Sequence, residues 1–127
     1  MTGDLDIVDS TAIADLGGLE ALARVGGCLT IARNDALENL DGLSGLGSVG
    51  CGDLVIDDNP ALEDVFGLAS LSAVKIENLT LTDNGALASI APLAGAMADV
   101  MGGLAIEGNS ALVDLVGLDA VTTVVDD

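Results

Sequence analysis

Residues 52–74, GDLVIDDNPALEDVFGLASLSAV, carry the pattern that the rest of the chain copies. Apolar residues stand at Leu54, Ile56, Leu62, Val65, Leu68, Leu71 and Val74, with one asparagine at Asn59. Working outward from Leu54, equivalents lie at Leu5, Leu29, Leu79 and Leu104, at spacings of 24, 25, 25 and 25 residues. Two residues on comes the row Ile7, Ile31, Ile56, Leu81 and Ile106, and three further the polar row Ser10, Asn34, Asn59, Asn84 and Asn109. Apolar rows then recur every third residue. In the first repeat they run through Ile13, Leu16, Leu19, Leu22 and Val25, and in the second through Leu37, Leu40, Leu43, Leu46 and Val49. The fifth repeat keeps Leu112, Leu115, Leu118, Val121 and Val124, and only the fourth slips, with one extra residue within 94–100.

Self-similarity at a fixed period predicts stacked repeats. The expected fold is one domain, a mainly β repeat solenoid with a parallel sheet and little helix. Its β-helix-like rungs lie near residues 1–26, 27–50, 51–75, 76–101 and 102–127. Leu-x-Ile alternates with period two, as a strand with one inward face does. The period of three after the asparagine matches neither an α-helix nor a strand, and fits extended or 3₁₀-like turns bending round a core. Gly18, Gly42, Gly67 and Gly117 precede the third apolar residue of that run, where a tight corner is expected, and Pro92 takes the place in the fourth rung.

Asn34, Asn59, Asn84 and Asn109 have a physical reason of their own. A chain turning inward leaves backbone polar groups without strand partners, and a buried amide can both donate to and accept from them. A buried ladder is therefore the favoured reading, against asparagine acting only as a turn former. Met97 and Met101 read as gap-filling core residues.

These residues bring a family into view. Residues 29–50, LTIARNDALENLDGLSGLGSVG, and 54–75, LVIDDNPALEDVFGLASLSAVK, resemble the leucine-rich repeat, in the receptor L-domain-like variety also found in bacterial surface proteins. The likeness runs from Leu5 to Val124. The chain departs from the common Leu-x-Leu-x-x-Asn-x-Leu pattern by one added residue, as in Asn59-Pro60-Ala61-Leu62, and that feature looks more like the L-domain type. The resemblance implies a parallel β solenoid and an extracellular or cell-surface setting. It does not imply a ligand.

Half of the 127 residues are hydrophobic, yet Phe66 is the single aromatic, which suits a narrow aliphatic core. No apolar run approaches the ~18 residues of a membrane span, so membrane insertion is not expected. The net charge is −18, from 21 acids against Arg24, Arg33 and Lys75, which disfavours nucleic acid and anionic lipid as partners. Most acids fall at outward positions. They read as a solubilising skin or a salt adaptation, with a calcium-binding strip at Asp57, Asp58 and Asp83 as the sharper alternative. Arg33 and Gly108 interrupt that strip and argue against it. No other cofactor is expected.

Cys28 and Cys51 stand at nearly stacked positions in consecutive rungs and read either as a disulfide, the favoured reading, or as two reduced core residues. A disulfide would indicate an oxidising compartment. The opening MTGDLDIVDS has neither a basic region nor an apolar core like a signal peptide. That leaves a cytoplasmic chain or a piece of a longer exported one, and the resemblance favours the second.

There is no histidine, no phosphate-binding glycine loop and no cleft in prospect that would shift one carboxylate of a pair, so an enzyme is not expected. Asn78-Leu79-Thr80 fits a glycosylation sequon, best read as chance. The leading expectation is a non-enzymatic recognition or adhesion module that offers a solenoid face to a protein or glycan. The alternative is a structural subunit whose end rungs stack on other copies of itself, with Leu5 and Ile7 meeting Val124 and Val125.

Overall fold

The computed structural model describes residues 2–71, 77–94, 99–100, 102–116 and 123–124. Each rung opens on a short strand: β1 (Leu5–Val8), β3 (Leu29–Ala32), β5 (Asp53–Asp57), β6 (Asn78–Thr82) and β8 (Leu104–Glu107). These pair in parallel as one five-stranded sheet in the order β1-β3-β5-β6-β8. Between them, β2 (Arg24–Val25) pairs with β4 (Ser48–Val49), and β7 (Asp99–Val100) pairs with β9 (Thr123–Val124), both in parallel. The molecule is a mainly β solenoid.

The register is the one the sequence repeat requires. Leu5, Leu29, Leu54, Leu79 and Leu104 stand opposite one another, as do Ile7, Ile31, Ile56, Leu81 and Ile106. Repetition enforces this alignment, because a slip by one residue would turn every inward side chain to solvent. Val25 faces Val49, and Val100 faces Val124 along the backbone. Val74, Met97, Met101, Gly117, Leu118, Val121 and Val125 lie outside the described residues.

The period of three also has a direct structural origin. Leu43 N–H donates to Leu40 O and Leu46 N–H to Leu43 O, both at 2.9 Å, and the same bonds link Leu68 to Val65 and Leu71 to Leu68. The chain is thus a run of three-residue turns, and every third side chain points inward. In the second, third and fourth rungs one turn tightens into a 3₁₀ helix: η1 (Asp41–Leu43), η2 (Phe66–Leu68) and η3 (Ala91–Leu93). Leu37, Leu40, Leu43 and Leu46 are fully buried in the second rung, as are Leu62, Val65 and Leu68 in the third.

The corner glycines are required for a different reason than the sequence suggests. Gly18 has a positive φ of 106°, but Gly42 and Gly67 do not. They are tied instead to close stacking, since a Cβ at Gly42 would fall against the Leu16 carbonyl and one at Gly67 against that of Leu40. Where Pro92 replaces the glycine, the nearby rung-to-rung bond from Ala88 N–H to Glu63 O is 3.4 Å, against 2.9 Å for Glu63 N–H to Glu38 O. The bulkier residue coincides with a looser corner.

Candidate functional site

The asparagine row forms a continuous, one-directional ladder. Asn34 Nδ2 donates to Asn59 Oδ1 at 3.1 Å, Asn59 Nδ2 to Asn84 Oδ1 at 3.1 Å, and Asn84 Nδ2 to Asn109 Oδ1 at 3.3 Å. Each of these Oδ1 atoms also accepts the backbone N–H of the preceding asparagine, at 3.0–3.2 Å. Each Nδ2 reaches back to a strand carbonyl of the rung before: Asn34 to Ile7, Asn59 to Ile31, Asn84 to Ile56 and Asn109 to Leu81. One amide therefore joins three rungs. Asn34, Asn59 and Asn84 are fully buried, and among the described residues no buried side-chain nitrogen or oxygen lacks a partner. Ser10 ends the row: its hydroxyl accepts locally from the Ala12 and Ile13 N–H groups, while its own N–H donates to Asn34 Oδ1.

The residue before each member of this row, Ser10 included, has a left-handed backbone. Asp9, Arg33, Asp58 and Asp83 have φ of 59°, 56°, 55° and 55°, and Gly108 has 68°. Aspartate and glycine accept this conformation most readily, so the acids at Asp58 and Asp83 have a conformational reason to be there. Asp57 belongs to a different row, facing Thr82, whose hydroxyl donates to the Asp57 carboxylate. The three candidate calcium ligands are thus split between two rows, and no group of three acid or cysteine side chains suited to a metal occurs among the described residues. Arg33 in this row pairs with Asp9, Nε to Oδ1 at 2.5 Å and Nη2 to Oδ2 at 3.2 Å. The hydrogen bonds from Arg33 hold the Asp9 carboxyl below the ordinary aspartate range.

Cys28 and Cys51 are joined by a disulfide, with Cα atoms 4.8 Å apart. The bridge is possible because the Cys51 N–H donates to Gly27 O, which stacks the linker before β5 directly over the residue preceding Cys28. Of the proposed end contacts, Leu5 and Ile7 are half-buried on β1, while Val124 pairs with Val100 through the backbone.

One recurring polar row and the structural role of one asparagine escaped the sequence reading. Asp15, Asn39, Asp64, Ser89 and Asp114 each accept, through a side-chain oxygen, the backbone N–H two residues on. Their 24- and 25-residue spacing was a readable signal, since such side chains fix local turns. Asn78 is the second case. Its Nδ2 donates to Asp53 Oδ1 and its Oδ1 accepts from Gly103 N–H, both at 2.9 Å, so the sequon amide is already engaged across three rungs.

Among the described residues, two surfaces offer themselves to a partner. The outward rows of the sheet are Asp6, Thr30, Val55, Thr80 and Ala105, and then Val8, Ala32, Asp57, Thr82 and Glu107, of which Ala32 is itself covered. All but Glu107 are short side chains, so this face is a flat strip. On the turn side, a shallow polar groove of about 290 Å³ is lined by Asp15, Gly17, Glu20, Asn39, Asp41 and Gly42. Two of its carboxylates are engaged, Asp15 by Gly17 N–H and Glu20 by Gly18 N–H. Among the described residues, no helix is long and apolar enough to cross a membrane. Compared with protein-family models, with curated proteins and with solved structures, the chain has no match.

Proposed function

We infer that the chain is a non-enzymatic recognition or adhesion module of a surface protein, offering its strand face to a protein or glycan. The observation that carries this reading is the flat five-stranded strip, whose short outward side chains repeat in strict register at the spacing of adjacent strands, about 4.8 Å. Such a strip exposes side chains such as Thr30, Thr80 and Thr82 over an extended area without a cleft, which suits contact with a surface better than enclosure of a small substrate. The asparagine ladder and the added residue after it support kinship with leucine-rich repeats of the L-domain-like variety. The Cys28–Cys51 disulfide favours an extracellular or cell-surface setting. The test is a pair of variants, Thr30→Arg and Thr80→Arg, probed on protein and glycan arrays alongside the parent chain. Ligands that bind the parent should be lost from both variants. Unchanged binding, or no ligand for the parent, would remove the reading.

A second reading, end-to-end self-assembly, is favoured by one specific observation. The outermost described rungs leave part of their aliphatic rows uncovered: Ile13 is 44% exposed in the first and Leu115 55% in the fifth, although Leu16 is buried. Another copy of the solenoid would cover such a layer with like side chains, and a head-to-tail contact of this kind propagates into fibres. Light scattering at rising salt tests it. Growth that increases as salt screens the −18 charge supports assembly, and a monomer at every salt concentration excludes it.

A further inference from the structure

The turn side of the solenoid, away from the strand strip, is divided in character along the stack. One row of equivalent positions reads Glu38, Glu63, Ala88, Val113, and its neighbour reads Asp41, Phe66, Ala91, Val116. The Asx-type bonds two residues before Asp41, Phe66, Ala91 and Val116 fix that second row as structurally equivalent. The upper half is acidic, while the lower half carries Phe66, Ala88, Ala91, Val113 and Val116 and only Asp114, held by the Val116 N–H, between the two valines. Phe66, the only aromatic in the chain, takes no part in the core and is 64% exposed, while Val113 is 82% and Val116 57% exposed. Phe66 and Ala88 belong to interior rungs, so their exposure does not come from an open end of the stack. Gly67 lies against the Leu40–Asp41 peptide, which puts Phe66 beside Asp41 and so beside the groove that Asp15, Glu20 and Asp41 line.

We propose that this face docks a segment of a partner protein that is cationic at one end and apolar at the other. Its lysines or arginines lie over Glu38, Asp41 and Glu63, and its apolar side chains cover Phe66, Ala91 and Val116. An exposed aromatic beside apolar neighbours is the usual anchor of an interface, and a guanidinium reaching Phe66 from the acidic side gains from the ring face as well. Charge selects this occupant. A second copy carries −18 of its own and is repelled at the acidic half, as is an anionic membrane, whereas a basic segment is attracted and steered. From the second rung to the fifth the face spans about 15 Å, the length of about ten helical residues. The proposal concerns a different face from the strand strip, so either can fail without the other.

The absence of tryptophan supplies the probe. Phe66→Trp, with its fold checked by circular dichroism, is titrated with a synthetic peptide of about ten residues, lysines in its first half and leucines in its second. The expected result is a saturable blue shift of the emission, with affinity falling as salt rises. In calorimetry on the otherwise unaltered chain, Phe66→Ser and Val116→Ser should each weaken the same peptide, the first by about tenfold. Asp41→Asn with Glu63→Gln should weaken it and flatten the salt dependence. Three outcomes overturn the proposal. They are no emission change, a lysine–serine peptide that binds as tightly as the lysine–leucine one, and an emission shift that grows with protein concentration before any peptide is added. The last would mean that a second copy covers the patch.

Discussion

The second to fourth rungs and the two outer ones are built from the same rows, but the same residue has different surroundings in each. Leu29, Leu54 and Leu79 are at most 2% exposed, whereas Leu5 and Leu104, their equivalents in the sheet, are only half-buried. Asn34, Asn59 and Asn84 are sealed, whereas Asn109 and Ser10 are half-buried. In a stack where each rung touches only its neighbours, a side chain's contribution depends on whether it is covered on both sides. Equivalence in sequence is therefore not equivalence in energy.

The largest expected effect lies in the ladder. Asn59→Ala takes the acceptor from the Asn34 N–H and the donor from Ile31 O, both in a region closed to water. It should cost about 4 kcal/mol. Asn109→Ala, where water can substitute, should cost about 1 kcal/mol. Urea unfolding of the two variants measures the gap, and equal costs would break the distinction between inner and outer rungs.

Next comes the disulfide. It closes a loop of 23 residues between the second and third rungs, so reduction should lower stability by up to about 3.5 kcal/mol on the chain-entropy account. Hydrogen exchange on the reduced protein should show the first two rungs losing protection before β5 and β6 do. Uniform loss across all five strands would mean the stack behaves as a single cooperative unit.

Cavity formation offers a third contrast. Leu54→Ala should cost about 3 kcal/mol because neighbours on both sides hold the void open. Leu104→Ala should cost about half as much, its partly exposed site having less to lose. Thermal unfolding of both variants at one pH decides the ratio, which the covered-on-both-sides argument requires to be well above one.

The smallest effect belongs to Asp9 and Arg33, an exposed pair in which the guanidinium depresses the Asp9 pKa. A depressed carboxylate pKa adds stability above the ordinary aspartate range and loses it as pH falls through the lowered folded value. Asp9→Asn should therefore destabilise slightly at neutral pH and make no difference once the pH is below that value. The exposure of both side chains to solvent keeps the change small. A pH series of melting temperatures for the two proteins should converge on the acid side.

Much of the fold was legible because repetition is a one-dimensional property. Once Leu5, Leu29, Leu54, Leu79 and Leu104 recur at near-constant spacing, stacking them is the only arrangement that buries every row together. The period of three announced the turns, and the asparagine row announced the ladder. The Asx-type row at Asp15, Asn39, Asp64, Ser89 and Asp114 was equally periodic, but its mixture of residue types hid it. The candidate surfaces were far less readable, because an outward position carries no burial constraint and so leaves no pattern.

By itself, then, the sequence determined which residues lie above which, since identical rungs can share a core only in register. The tertiary structure alone decided the left-handed turn at Asp9, Arg33, Asp58, Asp83 and Gly108, the direction in which each amide donates, and the need for Gly42 and Gly67. It alone set Phe66 in the open beside Asp41. These depend on the backbone of the adjacent rung, a neighbour about 25 residues away in the chain but about 4.8 Å away in space.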